Sequence, residues 1–154
     1  FRYLGRHYKL SVRGTSAKER VVLQHGMMVV HVRERGDPAQ VKRLLDAWFR
    51  ERARVVFGGL LSASCLACGL ERKPGLVVRP MLRRWGSYSS RTNRVTLNSE
   101  LIRASTTQIQ YVILHELCHV THMNHGRAFY DLLESRCPDW RRIKLRLEQD
   151  LLGR

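Results

Sequence analysis

Tyr111-Val112-Ile113-Leu114-His115-Glu116-Leu117-Cys118-His119 is the stretch around which the rest of the chain is read. Its centre has the form H-E-x-x-H. An α-helix turns once in about 3.6 residues, so positions i and i+4 share a face. On a helix, His115 and His119 project side by side and can both place a ring nitrogen on one metal ion. Glu116 follows the first of them. Ionised, its carboxylate only accepts hydrogen bonds, so it can take a proton from a water beside that metal and pass it on.

The flanks support a helix. Ser105 with Gln108 three residues later has the capping-box form. Ile109, Ile113, Leu117 and Val120 then recur at helical spacing, with the two histidines off that apolar face. H-E-x-x-H on a helix is the zinc-metalloprotease pattern. A catalytic zinc site usually takes three protein ligands and keeps one position open. His125 is the candidate for the third, because Asn124-His125-Gly126 looks like a helix end at which asparagine and glycine tolerate left-handed geometry. Glu134 and Asp131 are its rivals. His122, on a continued helix, lies about 10 Å along the axis from His115 and would have to reach back too far. The spacing equals that of metzincins, but His122 stands where a metzincin has glycine.

Elsewhere the chain of 154 residues carries 28 Lys and Arg against 13 Asp and Glu, a formal charge of +15. That balance favours anionic partners and makes non-specific nucleic-acid binding an expectation, although no base-reading motif is present. No apolar run approaches the ~20 residues needed to span a membrane. No signal peptide is visible; because the chain opens on Phe1, a leader or further N-terminal segment is left open. Of the four cysteines, Cys65, Cys68, Cys118 and Cys137, the first two read as buried, reduced thiols and Cys118 as a packing residue. Cys65 and Cys68 have no second pair with which to build a zinc ribbon, and a cytoplasmic location is expected.

Read in order, residues 8–13, 20–24 and 27–33 give three strands of an expected antiparallel meander, with His25-Gly26 as a turn. Asp37, Pro38 and Gln40 predict a capped helix start. Val41, Leu44, Leu45, Trp48 and Phe49 form the apolar stripe of that helix, which Gly58-Gly59 is expected to interrupt before it resumes to Gly69. Residues 76–81 and 95–98 read as strands, with an extended run over 82–89 and a hairpin turn at 91–94. Residues 127–136 predict a helix stopped by Pro138, and Asp139 caps a last one. One domain is expected, with N-terminal strands and helix over 1–75 and a metal-site half over 76–154, and a monomer.

Several blocks together carry a resemblance. Arg84-Trp85-Gly86-Ser87, Val95-Thr96-Leu97-Asn98, the H-E-x-x-H stretch with Asn124-His125, Pro138-Asp139-Trp140 and the opening Tyr3-Leu4-Gly5-Arg6 occur in family order. The chain resembles the YgjP-like metallopeptidase domain, a relative of the SprT-like and WLM metalloproteases. The resemblance implies an α+β, zincin-like fold: N-terminal antiparallel strands, a mixed sheet with an edge strand beside the H-E-x-x-H helix, and C-terminal helices. It implies zinc, or another divalent metal, on His115, His119 and His125, with Glu116 as general base. It also implies that residues 84–88 hold an extended peptide by main-chain pairing. Tyr88 stands where the family usually has cysteine.

Relatives in the family are treated as peptidases or as phosphohydrolases acting on nucleotides. The leading expectation is therefore a zinc metallopeptidase, with Tyr130, Arg84 and Tyr88 as candidate oxyanion donors. The alternatives are a phosphohydrolase of nucleoside triphosphates or polyphosphate, in which Arg83, Arg84 and Arg127 clamp phosphates, and a nucleic-acid-associated SprT-like protease.

Overall fold

The computed structural model describes residues 1–34 and 36–152. Arg2–Tyr3 (β1) and Arg6–His7 (β2) form a small hairpin. Lys9–Gly14 (β3), Arg20–Gln24 (β4) and Met27–Val32 (β5) make a three-stranded sheet. The helix Pro38–Ala67 (α1) follows, then a second three-stranded sheet of Gly75–Arg79 (β6), Gly86–Ser89 (β7) and Arg94–Asn98 (β8). A 3-10 helix at Ser99–Arg103 leads into Thr106–Cys118 (α2), Arg127–Arg136 (α3) and Trp140–Leu152 (α4).

The first sheet is not a meander. β4 and β5 form the expected antiparallel hairpin, turned by His25 and Gly26 at φ 49° and 75°. But β3 pairs parallel with β5, in the order β3-β5-β4. β5 is thereby central, and Met28, Val29, Val30 and Val32 are fully buried. Burial of that run outweighs the simpler up-and-down path, since each such side chain contributes about 1.5–3 kcal/mol.

α1 also departs from expectation. It runs 30 residues without a break through Gly58 and Gly59. Ala53, Phe57, Leu61, Ser64 and Cys65 are buried at helical spacing across the glycines. Two interior glycines cost about 1 kcal/mol each, and burial of Phe57 and Leu61 alone offsets that. At its start Asp37 accepts from the Ala39 amide, but the capping box is not made: the Gln40 side-chain oxygen accepts from Arg43 instead, and its NH2 group donates to Glu19.

One hydrophobic cluster joins β1, β5, α1, β8, α2, α3 and α4, including Tyr3, Met28, Phe57, Leu97, Ile113, Phe129 and Leu147. The N-terminal hairpin is pinned to the foot of α2. Amides of Leu4 and Gly5 donate to the carbonyls of Ile102 and Arg103 at 2.9 and 3.0 Å. Gly5 has φ 80°, and a Cβ there would lie 3.2 Å from Ser105 Cβ, so the turn needs glycine both for conformation and for close approach. Ser105 in turn caps α2 with the full capping box, its hydroxyl accepting from Gln108. Asp150 of α4 closes the joint, accepting from Gln108 at 2.8 Å and pairing with Arg2 at 3.2 Å. Among the described residues no helix is long and apolar enough to cross a membrane.

Candidate metal centre

α2 buries Ile109, Ile113 and Leu117 completely, which turns His115 and Glu116 toward β7 and α3. The helix ends earlier than the sequence suggests. Its last residue is Cys118, and His119 is the C-cap. A run of turns follows, in which the amides of Val120, Thr121 and His122 donate to Leu117, Cys118 and Cys118. Neither Asn124 nor Gly126 takes a left-handed conformation. The chain returns to the site through this tight turn, not through a left-handed cap, and brings His125 over the face of His115 and His119.

The ligand-capable atoms of His115, His119 and His125 lie within 4.8 Å of one another. Nε2 of His115 and Nε2 of His125 are 3.2 Å apart. Two zinc ligands at 2.0–2.1 Å in a tetrahedron stand about 3.3 Å apart, so that separation fits a shared metal. Nδ1 of His119 sits 3.0 Å from the carbonyl of His122. A carbonyl can only accept, so Nδ1 carries the hydrogen and Nε2 is the nitrogen left to serve as a ligand atom. His122 thus serves the site through its backbone. Phe129 of α3 lies under all three rings, with centroid distances of 4.9, 4.7 and 4.8 Å. Burial, with His119 and His125 adding to it, lowers the His115 pKa to about 4, so that ring is neutral near pH 7. The donor set fits a divalent metal: three imidazoles on a hydrophobic floor, one with its Nδ1 engaged by a backbone carbonyl.

Glu116 is buried at 6% exposure. Its pKa is raised to about 7 by burial, against an opposing pull from Arg84. A base poised near neutrality is suited to proton transfer. Gly86 makes that position available. A Cβ there would lie 3.1 Å from Glu116 Cγ, 3.1 Å from Val112 Cγ1 and 3.2 Å from Glu116 Oε1. Only glycine lets the edge strand pass so close to the acid.

The expected substrate strand over 84–88 is displaced: β7 begins at Gly86, and Arg84 and Trp85 precede it in a bent segment. Asn98 holds that segment. Its side-chain amide donates to the carbonyls of Met81 and Arg84, both at 2.9 Å, and its backbone amide to Trp85. Trp85 and Gly86 line a cavity of about 160 Å³ with Tyr111, Val112, His115 and Glu116. Ser87 pairs with Thr96 in the sheet. Tyr88 donates its hydroxyl to Asn93 at 2.8 Å, away from the histidines. Tyr130 lies 6.3 Å from His125, ring to ring, and stacks on Trp140 at 5.2 Å. Arg127 is exposed and 3.9 Å from Asp131. Glu134 pairs with Arg141 at 3.3 Å, so neither rival carboxylate joins the histidine cluster.

Three residues of the site went unassigned in the sequence. Tyr111 precedes His115 by four positions, so helical spacing alone could have placed it beside that histidine. Phe129 reads only as an inward-facing residue of α3. Asn98 appears in a family block, but its role as a tie across a bend has no sequence signal. The four cysteines are free, with Cys65 and Cys118 buried.

A histidine–glutamate helix packed behind the edge strand of a mixed sheet, with a third histidine on the following turn, defines a zincin-like metallopeptidase. The chain belongs to the YgjP-like family, matching its metallopeptidase domain over residues 1–150. That makes it a metal-dependent hydrolase of the metallopeptidase class. Its fold is similar to two metallopeptidase zymogens. Jannalysin of Methanocaldococcus jannaschii is 23% identical at TM-score 0.57, covering 62% of this chain and 89% of that one. Abylysin of Pyrococcus abyssi is 20% identical at TM-score 0.58, covering 62% and 95%. No curated protein matches the chain.

Proposed function

We propose that the protein is a zinc-dependent peptidase in which His115, His119 and His125 hold the metal and Glu116 is the general base. The observation that carries this reading is the convergence of the three ring nitrogens within 4.8 Å beside a buried glutamate. A bound zinc would supply Lewis-acid polarisation of a carbonyl and a water of lowered pKa.

The chain's own residues supply the rest. Glu116, unhindered by any side chain at Gly86, accepts a proton from the attacking water and returns it to the leaving amine. Among the described residues β7 pairs with β8 on one side only, which leaves its outer edge for an extended peptide along 86–89. Trp85 and Tyr111 border the cavity beside Glu116 and give it two aromatic walls. His119 is held in one tautomer by His122, which keeps its ligand nitrogen aimed. Of the two tyrosines, Tyr130 is the better candidate oxyanion donor, since its ring lies 6.3 Å from that of His125 while Tyr88 donates its hydroxyl to Asn93.

The experiment is a hydrolysis screen of the zinc-loaded chain on peptides, nucleoside triphosphates and polyphosphate, with Glu116→Gln as the blank. Peptide cleavage by the wild type, reduced ~10²–10⁴-fold in the variant, is expected. Turnover of the phosphoanhydrides alone would overturn the peptidase reading.

A further inference from the structure

Away from the metal centre, positive charge of this chain is gathered at one place into a recess. A cavity of about 250 Å³ lies between α1, the end of β6 and the 3-10 helix, and Arg50, Arg54, Arg79 and Arg103 all line it. Its lining shares no residue with the cavity beside Glu116. We infer that this recess is a binding site for a phosphate or diphosphate group.

The charges in the recess do not cancel. It holds two carboxylates, Asp46 and Glu100. Asp46 is engaged by Lys42 at 2.6 Å and Glu100 by Arg103 at 3.1 Å. Arg50, Arg54 and Arg79 have no carboxylate within ion-pair distance and make no side-chain hydrogen bond among the described residues. Arg50 and Arg54 stand at i and i+4 on α1, a spacing at which like charges repel and cost stability. Arg79, the last residue of β6, lines the same recess from the second sheet. Three arginines without an ion pair among the described residues thus line the recess from two walls, and its four arginines outnumber its two carboxylates.

The shape and the donors select the ligand. A guanidinium offers paired N–H donors that match the oxygens of a phosphate. A carboxylate has two oxygens and one charge, and one arginine fork satisfies it. A phosphate, with more oxygens and up to two charges, can engage forks from both walls together. Cavities for drug-sized ligands occupy ~300–1,000 Å³, so this one suits a terminal phosphate or diphosphate better than a whole nucleotide. A nucleic-acid backbone needs an open track of cations, whereas this site is recessed. The group can be free, as inorganic phosphate or pyrophosphate, or carried on a nucleotide whose base lies outside.

Calorimetric titration of the full chain with phosphate, pyrophosphate and ADP, at ~50 and ~200 mM salt, tests the site. Arg50, Arg54 and Arg79 are exposed, so alanine there leaves the core intact. Saturable one-to-one binding of pyrophosphate is expected, weakened at least about tenfold in Arg50→Ala/Arg54→Ala and in Arg79→Ala. Lys18→Ala/Arg91→Ala removes the same charge elsewhere and should change affinity less than about twofold. The relative affinities of pyrophosphate and ADP tell whether the group is bound free or on a nucleotide. The inference is overturned by absence of saturable binding, or by equal loss in the control, which marks mere net charge. It is also overturned by binding that the arginine variants leave intact, which places the anion at the metal, or by duplex DNA that pyrophosphate cannot displace. None of these outcomes bears on peptide hydrolysis.

Discussion

The two three-stranded sheets share one topology. In each, the first strand lies parallel to the third and the second pairs antiparallel with it, giving the orders β3-β5-β4 and β6-β8-β7. Each is covered by a helix, and among the described residues the candidate metal centre lies on the second. The difference lies in what helix and edge strand offer one another. Over the first sheet α1 buries Leu45, Ala53, Phe57 and Leu61, and the edge strand is Arg20-Val21-Val22-Leu23-Gln24. Over the second, α2 turns His115 and Glu116 toward Gly86-Ser87-Tyr88-Ser89. A glycine at the crossing point brings strand and acid together. The same scaffold becomes a candidate active site when a small edge residue admits a titratable helix face.

The largest contrast should come from filling that crossing point. Gly86→Val, measured against Gln24→Val on the exposed edge of the first sheet, should destabilise the fold by about 1–3 kcal/mol through overpacking. Chemical denaturation is the readout, and hydrolysis should fall at least ~10²-fold because Glu116 is displaced. Gln24→Val should stay within about 0.5 kcal/mol. Equal effects at the two positions would remove the reason given for the site's location.

A comparable effect is expected from Glu116 in the metal-free chain. Its folded pKa of about 7 exceeds the ordinary 4.5, so the folded state holds that proton more tightly than the unfolded chain does. Stability therefore declines as pH rises from about 4.5 through about 7, by on the order of 3 kcal/mol. Glu116→Gln lacks this penalty. Melting curves should show it more stable than wild type at pH 8 and alike at pH 4. Bound metal, by favouring the carboxylate, should narrow the gap.

The joint at the foot of α2 is smaller. Asp150→Ala removes the partners of Gln108 and Arg2 and should cost about 1–2 kcal/mol at neutral pH. The Gln108 hydrogen bond, with Arg2 and Arg146, holds the Asp150 carboxyl below its ordinary value. Its contribution is thus present above the usual aspartate range and is lost as pH falls through the lowered folded value. A deficit that persisted unchanged into strong acid would assign it to packing.

Local signals carried most of this architecture. Ser105 and Gln108 marked the start of α2, the turn at 91–94 marked the β7–β8 hairpin, and residues 127–136 marked α3 to the residue. The placing of His115, Glu116 and His119 on one helix was legible because helical periodicity is local in sequence; His125 lies beside them as expected, but by a tight turn and not by the left-handed helix end that the sequence suggests. Pairing between β3 and β5 was not, since alternation shows which face of a strand is apolar and says nothing of its neighbour. The passage of α1 through Gly58-Gly59 depended on tertiary burial outweighing propensity. The early end of α2 depended on turn hydrogen bonds and on the His122 carbonyl, which the identity of residue 122 cannot convey. Asn98 belongs to the same class: its bonds to Met81 and Arg84 cross 17 and 14 residues.

The central claim is that three histidines, and no carboxylate, hold the metal. Metal content of the purified chain, measured by elemental mass spectrometry after equilibration with zinc, tests it most directly. One zinc per chain is expected in wild type and in Glu116→Gln. His115→Ala, His119→Ala and His125→Ala should each lose most of it, while Asp131→Ala and Glu134→Ala keep it. Zinc retained by His125→Ala and lost from Glu134→Ala or Asp131→Ala would contradict the account.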